Sequence, residues 1–309
     1  MKKGVIFYIS IFFVLIFAFK TYANPLPKTI TIFHAGSLSI PFKILTQEYM
    51  KIHKNIRSAL ESSGSVSAIR KITELKKSAD ILGSADASLI ERMMFPDYAK
   101  WYVEFATNEM VIAYRDNAPY SNIINKDNWF QILLKEDVEY GHSDPNMDPC
   151  GYRTLLLWKL SEIYYKKPGL YNKLVKNCPP KNIRPKEVDL IALLETRNLD
   201  YAFEYRSVAI QHHLKYVELP DKINLGNVKF KDFYKMVDIE IIGKSPGTKL
   251  KITGKPIVYG MTIPILAKNK KEAKDFIKFI LSEEGRKLIR KSGQKPINPP
   301  IFIGAYEDQ

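Results

Sequence analysis

Four segments of the chain join a turn of small residues to the start of a predicted helix, and such a junction can bind an oxyanion. The segments are residues 35–39, 62–65, 148–152 and 184–187. The first turn of a helix presents unpaired backbone N–H groups and the positive end of the helix dipole, which attract a negatively charged oxygen. Ser37 and Ser65 add hydroxyl groups to the first two segments. Each segment taken singly is more typical of an ordinary helix cap, so one oxyanion site requires all four to meet in the fold.

Two of these junctions also carry a carboxylate, Asp148 and Glu187. A carboxylate repels sulfate or phosphate at close range. A six-valent molybdenum or tungsten centre differs, because it is a hard metal that can add oxygen ligands beyond its four oxo groups, and carboxylate oxygens suit a hard metal. The pair therefore favours molybdate or tungstate as the ligand. A receptor for sulfate, thiosulfate or phosphate stays open as the alternative.

Other chemistries are less well supported by the sequence. Asp144, Asn146 and Asp148 have the spacing of the first three ligands of a calcium loop. However, Pro149 and Leu155 stand where that loop needs Gly and Glu. The sequence has neither a Gly-x-Ser-x-Gly elbow nor a His-Glu-x-x-His pair. We therefore expect a binding protein without a cofactor, and a hydrolase is the distant alternative.

Short β-branched runs alternate with amphipathic helices along the chain, which favours a mainly parallel sheet with helices on both faces. In the first part we predict strands at 29–33, 56–61 and 79–83 and helices at 39–53 and 65–75. A second α/β set has strands at 138–141 and 201–205 and helices at 152–165 and 186–196. After it come a strand at 256–263, a helix at 271–282 and a closing helix through residue 291.

Two strand-like connections, near residues 111 and 256, join the two predicted sets. They predict a hinge between two α/β lobes, with a ligand cleft between the lobes. One lobe would comprise residues 24–111 and 256–309, and the other residues 112–255.

The first 23 residues have the composition of an export signal. Lys2 and Lys3 precede an apolar run from Gly4 to Phe19, and a small-residue stretch ends at Ala23. The run is shorter than the roughly 20 apolar residues of a membrane span. Cleavage near Ala23 is the leading interpretation, with retention as a membrane anchor as the second. We therefore predict a protein secreted to the extracellular face of the cell membrane.

The formal net charge of +14 comes from lysines and arginines that are spread along the chain. A nucleic-acid-binding protein would gather them in one patch or helix, so we expect no nucleic-acid partner. A positive field would speed the capture of a small anion. Cys150 and Cys178 do not form a zinc or redox motif, and a disulfide or two free thiols are equally open.

Several long motifs of this sequence resemble those of the archaeal molybdate/tungstate-binding proteins of the WtpA type. The motifs are FHAGSLS at 33–39, ESSGSV at 61–66, SDPNMDPCGYR at 143–153 and FEYRSVAIQH at 203–212. The resemblance extends from about Thr29 to Pro300. It implies a type II periplasmic-binding-protein fold that closes around its oxyanion, and an ABC transporter permease with its ATPase as the partner complex. We expect the protein itself to be a monomer.

The resemblance also implies a role for each residue of the site. The implied oxyanion ligands are the hydroxyls of Ser37 and Ser65, the backbone at Gly36, the turn of Pro149 and Cys150, and the phenol of Tyr205. Asp148 and Glu187 match the two carboxylates that coordinate the metal. Asp189 is the weaker alternative to Glu187. Glu204 is disfavoured, because a strand residue next to an inward Tyr205 points to the opposite face.

Overall fold

The computed structural model describes residues 26–244 and 247–306. The predicted export signal, residues 1–23, lies outside these ranges. Among the described residues, none of the helices has the length and apolar character needed to span a bilayer.

Strands and helices alternate through most of the described chain. The strands are β1 (Lys28–Ala35), β2 (Ile56–Ser63), β3 (Ile81–Ser84), β4 (Trp101–Thr107), β5 (Met110–Tyr114), β6 (Tyr140–Ser143), β7 (Ile183–Arg184), β8 (Tyr201–Tyr205), β9 (Lys215–Glu218), β10 (Asp238–Ile242), β11 (Lys249–Thr253), β12 (Val258–Thr262) and β13 (Lys295–Gly304). The α-helices are α1 (Ser39–Ile52), α2 (Ser65–Thr73), α3 (Ser88–Met94), α4 (Trp129–Leu133), α5 (Pro149–Tyr164), α6 (Leu170–Asn177), α7 (Asp189–Glu195), α8 (Arg206–Gln211), α9 (Lys231–Tyr234), α10 (Lys270–Leu281) and α11 (Glu283–Lys291).

The strands form two large sheets and one hairpin, β10–β11. The first sheet has the order β13-β4-β12-β3-β1-β2, and the second has the order β7-β6-β8-β5-β9. We call the first sheet with the helices packed on it the first lobe, and the second sheet with its helices the second lobe. The prediction of two α/β lobes is therefore confirmed.

The prediction of mainly parallel sheets is wrong. In the first sheet only the pairs β1–β2 and β1–β3 are parallel, and β12 and β13 run antiparallel to their neighbours. In the second sheet β6 is parallel to β7 and β8, whereas β5 is antiparallel to β8 and β9. The reason is that strands entering a sheet after a lobe crossing arrive from the other end, and local sequence pattern carries no information on that direction.

The chain crosses between the sheets at two places. The first crossing runs over Asn108 and Glu109, between the end of β4 and the start of β5, and the second arrives at Pro256 just before β12. The predicted boundary near residue 111 falls inside β5, which pairs within the second sheet. The division into 24–111 with 256–309 and 112–255 stays a prediction.

Aromatic packing makes the second lobe a rigid support for its loops. Trp129 and Trp158 both meet the ring of Phe203 edge to face, with ring centroids 5.7 and 5.3 Å apart. Cys150 and Cys178 are buried free thiols in this lobe, so the structure favours the second of the two alternatives for these residues. Core burial rather than a covalent link stabilises the lobe.

Two helices start elsewhere than the sequence pattern predicts. The helix expected from Tyr152 begins at Pro149, because Asp148 caps it and proline is favoured in the first turn. The helix expected from Lys186 begins at Asp189, and Glu187 lies in the turn before it. The pattern did not predict several further elements: α3, α4, α6, α8, α9, β4, β7, β9, β10, β11 and β13.

Candidate functional site

The turn after β1 and the turn before α7 meet at Gly36 and Glu187, one from each lobe. A Cβ atom built on Gly36 would lie 2.6 Å from Oε2 and 2.7 Å from Oε1 of Glu187. Real Cβ atoms do not approach oxygen so closely, so any larger residue at position 36 would displace this carboxylate. Glycine at 36 therefore lets Glu187 reach the start of the first-lobe turn.

The other two junctions meet in the same manner. A Cβ atom on Gly64 would lie 2.2 Å from the carbonyl oxygen of Met147 and 2.9 Å from Cβ of Asp148. The backbone N–H of Ser67, in the first turn of α2, donates a hydrogen bond to Met147 O at 3.2 Å. Asp148 in turn accepts a hydrogen bond from the backbone of Glu187. The structure thus brings all four predicted junctions together.

The two serines are buried, and each already accepts a hydrogen bond. Ser65 Oγ accepts from the backbone N–H of Ala85 at 3.0 Å. Ser37 Oγ accepts from the hydroxyl of Tyr259 at 2.9 Å, and that hydroxyl accepts from Asn108 Nδ2 at 3.0 Å. A hydroxyl has a single proton to donate. Since the serine oxygens act as acceptors, their own O–H groups are left to donate to a ligand.

Asp148 is the N-cap of α5 and is fully buried. Its Oδ1 accepts from Cys150 N at 3.4 Å, and its Oδ2 accepts from Glu187 N at 3.0 Å. Burial raises the pKa of this carboxyl, although hydrogen bonds with the side chains of Glu187 and Ser143 and with the two backbone N–H groups oppose the rise. Asp148 therefore ties the start of α5 to the turn that carries Glu187.

Glu187 is also fully buried, and among the described residues no N–H or hydroxyl donor bonds to its carboxylate oxygens, so its interaction is with the neighbouring carboxyl group of Asp148. Burial raises the pKa of Glu187 well above its ordinary value, and the negative charges of Asp148 and Glu204 add to the rise. An unpartnered buried carboxylate is unfavourable unless something else satisfies it. Its four lone-pair positions make it an acceptor for a metal or a proton.

Tyr205 is buried at the end of β8, and its phenolic oxygen accepts a hydrogen bond from Arg153 Nη1 at 2.7 Å. The predicted donors of the Pro149–Cys150 turn are less available. Pro149 has no N–H, and the N–H of Cys150 already points to Asp148 Oδ1. The thiol of Cys150 contacts the carbonyl oxygen of Phe203 at 3.5 Å.

The alternatives to Glu187 differ in their surroundings. Asp189 is partly exposed and forms an ion pair with Lys186, with 3.6 Å between Nζ and Oδ1. Glu204 is fully buried, and its Oε2 accepts from the backbone N–H of Tyr205 at 3.2 Å while its Oε1 has no partner. Burial and the charge of Asp148 raise the pKa of Glu204 well above its ordinary value. Its effect on the pKa of Glu187 makes it part of the electrostatic surroundings of the site.

Sequence reasoning missed four residues that support the predicted ligand residues through hydrogen bonds and ion pairs: Asp86, Asn108, Arg153 and Tyr259. Arg153 lies within one of the recognised motifs but was not assigned a role, and no local pattern marks Tyr259 or Asn108. In residues 26–244 and 247–306, no group of three His, Cys, Asp or Glu side chains is arranged to hold a bare metal ion.

Residues 30–295 match the family described as bacterial extracellular solute-binding protein. The chain belongs to this family. A relative from Petrotoga mobilis, named an uncharacterized solute-binding protein, is 49% identical over 96% of this chain and 93% of its own length. A molybdate/tungstate-binding protein, WtpA, from Pyrococcus abyssi is 43% identical over 90% of this chain and 87% of its own length. These relatives are binding proteins, so this family member is a binding protein and not an enzyme.

A solved structure supports the fold. The periplasmic molybdate-binding protein of Azotobacter vinelandii superposes with a TM-score of 0.62 at 14% identity, covering 87% of this chain and 99% of its own. At this identity the likeness concerns the fold alone. The family member therefore has the two-lobed periplasmic-binding-protein fold, as predicted.

Proposed function

We propose that this solute-binding protein captures molybdate or tungstate outside the cell and delivers the anion to the permease of an ABC importer. The observation that carries the proposal is the carboxyl group of Glu187, which is fully buried between the lobes beside the carboxyl of Asp148 and receives no N–H or hydroxyl donor from residues 26–244 and 247–306. The name of the Pyrococcus abyssi relative supports the same ligand.

The choice of ligand follows from what a buried carboxylate does to an anion. Sulfur and phosphorus in their tetrahedral oxyanions do not take further oxygen ligands, so the carboxylates cannot coordinate the central atom, and an ionised Glu187 would repel the anion. Molybdenum and tungsten are hard metals that accept carboxylate oxygens. In our proposal Glu187 and Asp148 each give the metal one further oxygen, which raises its coordination from four oxygens to six.

The donors of the site suit the oxo groups of the same anion. Ser37, Ser65 and Tyr205 all have oxygens that already accept a hydrogen bond. Their O–H groups are therefore available to the oxo groups, with the backbone at Gly36 and the Pro149–Cys150 turn beside them. Each donor of this kind contributes about 0.5–1.5 kcal/mol, and more toward a charged acceptor.

The wider assignment rests on the family and on the N-terminal sequence. We propose that residues 1–23 direct export, with cleavage near Ala23 or retention as an anchor, so that the protein works on the extracellular face. Residues 24–111 with 256–309 and residues 112–255 would move as the two lobes. The closed protein, a monomer, would present both lobes to the permease and its ATPase.

Titration calorimetry with the chain beginning at Asn24 tests the ligand. We expect dissociation constants below about 1 µM for tungstate and molybdate, and no measurable heat with sulfate, thiosulfate or phosphate. Strong sulfate binding would overturn the argument from metal coordination.

X-ray absorption at the tungsten edge tests the coordination directly. We expect two longer metal–oxygen distances in addition to the oxo groups of the free anion. A spectrum with four equal oxygens would mean that the anion binds as a plain tetrahedron and that the carboxylates do not coordinate it.

A further inference from the structure

Arg153 lies near the start of α5, and its guanidinium connects the two lobes. Its Nη1 donates to the carbonyl oxygen of Ala85 at 2.8 Å, in the first lobe, and to the phenolic oxygen of Tyr205 at 2.7 Å, in the second. Only 2% of the surface of Arg153 is exposed. Burying a guanidinium is costly unless its charge is paired and its donors are used.

The charge that compensates Arg153 comes from Asp86, which follows β3 in the first lobe. Asp86 Oδ2 lies 3.7 Å from Arg153 Nη2 and accepts a hydrogen bond from the hydroxyl of Tyr152 at 2.7 Å. Asp86 Oδ1 lies 2.9 Å from Lys255 Nζ. Burial acts to raise the pKa of Asp86, but the charges of Lys255 and Arg153 outweigh it and hold that pKa far below its ordinary range. Asp86 is therefore ionised and attracts Arg153 across the lobe boundary.

The contact with Arg153 decides how Tyr205 can hydrogen bond. A guanidinium has donors and no acceptor, so the oxygen of Tyr205 must accept and its own proton stays available. Burial raises the pKa of Tyr205 well above its ordinary value, which keeps the phenol protonated. On the opposite side, the N–H of Ala85 leaves the O–H of Ser65 available in the same way. Ala85 and Arg153 thus connect a donor of one lobe to a donor of the other.

We propose that Arg153 is a positioning residue for oxyanion capture, which holds Tyr205 as a hydrogen-bond donor when the lobes close on Ala85 and Asp86. The proposal rests on the proposed function and names a residue that acts without touching the anion. Ala85 belongs to the opposite lobe, so the bond from Arg153 to Ala85 forms only on closure. Donation by Tyr205 and closure of the lobes are therefore coupled events.

The geometry requires arginine rather than any cation. Arginine has a planar group with five N–H donors, which reaches two oxygen acceptors and a carboxylate together. A lysine at 153 keeps the charge but has one compact ammonium on a flexible stem. Arg153→Lys should therefore keep the fold while losing part of the hold on Tyr205.

A double-mutant cycle of Arg153→Lys and Tyr205→Phe, read by tungstate calorimetry, tests the proposal. We expect each single substitution to weaken tungstate binding about tenfold or more. In the Tyr205→Phe background, Arg153→Lys should weaken it by no more than about threefold, because the group through which it acts is gone. Stopped-flow tryptophan fluorescence should show that Arg153→Lys raises the dissociation rate and leaves the association rate nearly unchanged.

Arg115→Lys is the matched control, since Arg115 forms a partly buried ion pair with Asp200, at 2.7 Å, in the second lobe. We expect its tungstate affinity to stay within about twofold of the unchanged protein. If circular dichroism shows that Arg153→Lys is unfolded, Asp86→Asn replaces it in the cycle with the same expectation.

Failure of this inference and failure of the proposed function would give different results. Equal losses from Arg153→Lys with and without the phenol, in a protein that binds tungstate, would overturn the role of Arg153 and leave the proposed function intact. A protein with no affinity for tungstate would overturn the proposed function and this inference with it.

Discussion

The serine side of the candidate site, Ser37 and Ser65, and its carboxylate side, Asp148 and Glu187, differ in the hydrogen-bonding capacity they leave unused. Each serine oxygen accepts a hydrogen bond and leaves an O–H to donate. Within the described part of the chain, Glu187 receives no hydrogen bond from an N–H or hydroxyl donor, and its carboxyl group lies beside that of Asp148. The first side can bind only an acceptor, and the second can bind only a metal or a donor. An oxyanion whose central atom is a metal that accepts further oxygen ligands satisfies both sides.

The same two sides differ in their effect on the stability of the ligand-free protein. The serines are neutral, and their hydrogen bonds to Ala85 and Tyr259 stabilise the first lobe with or without a ligand. Burial raises the pKa of Asp148 and of Glu187, so the ligand-free closed form carries an electrostatic penalty on that side. On the proposed function the carboxylates serve the ligand, whereas the serines also stabilise the fold.

The largest effect should come from Glu187→Gln, which removes the unpartnered carboxylate and keeps its size. We expect tungstate affinity to fall about 100-fold or more, roughly 3 kcal/mol, because the amide is a poor ligand for a hard metal. The control is Lys186→Gln, one residue earlier and partly exposed, whose affinity should change by less than about threefold. Equal losses in the two variants, by calorimetry, would mean that Glu187 is not the carboxylate concerned.

The serine side should respond less. Ser65→Ala removes one donor to the anion and leaves the N–H of Ala85 without its acceptor. We expect about a tenfold loss of tungstate affinity and a loss of about 1–3 kcal/mol in the free energy of unfolding. Ser39→Ala is the control, since the hydroxyl of Ser39 bonds to Ser62 rather than toward the site. A Ser65→Ala protein with unchanged affinity would remove this serine from the binding side.

On the carboxylate side, substitutions of Asp148 and Glu187 should change the free energy of unfolding of the ligand-free protein in opposite directions. Asp148→Ala removes the cap of α5 and should lower the free energy of unfolding by about 1 kcal/mol. Glu187→Gln should raise it, because an amide cannot ionise and so avoids the burial penalty that raises the pKa of Glu187. Urea denaturation of both variants without ligand measures the signs, and a loss of stability in Glu187→Gln would contradict the comparison.

The smallest effect concerns the pH dependence of stability, where His34, which precedes the serine side, and the two carboxylates should act in opposite directions. Burial lowers the pKa of His34, two residues before Gly36, from 6.5 to about 4. The unfolded chain then binds a proton below pH 6.5 that the folded chain refuses, so this part of the stability is lost as pH falls from 6.5 toward 4. Between pH 7 and 6 the loss should be under about 1 kcal/mol.

The raised pKa values of Asp148 and Glu187 have the opposite sign, because their penalty grows as pH rises and is relieved on protonation. His34→Gln should flatten the decline in stability on the acid side, and Glu187→Gln should flatten the decline toward alkaline pH. Urea unfolding between pH 5 and 8 checks both slopes, and an unchanged acid slope in His34→Gln would rule out His34 as its source.

Much of the secondary structure was predictable, because the local sequence pattern determines it. Alternating β-branched runs and amphipathic helices placed β1, α1, β2 and α2 within a few residues of their observed bounds. Strand direction and helix starts were less predictable. Glu187 lies before α7 rather than in it, since its turn is held by a hydrogen bond to Asp148, 39 residues earlier in the chain.

The residue types of the candidate site, Ser37, Ser65, Asp148, Glu187 and Tyr205, were determined by the sequence itself, because turn residues before a helix and a recognised motif mark them locally. Only the tertiary structure decided which groups remain available to a ligand. Contacts between segments far apart in the chain decide that Tyr259 donates to Ser37, that Arg153 donates to Tyr205, and that Glu187 lies beside Asp148. Hydrogen bonds are directional and limited to a few ångströms, so only the folded arrangement of both lobes determines which of them form.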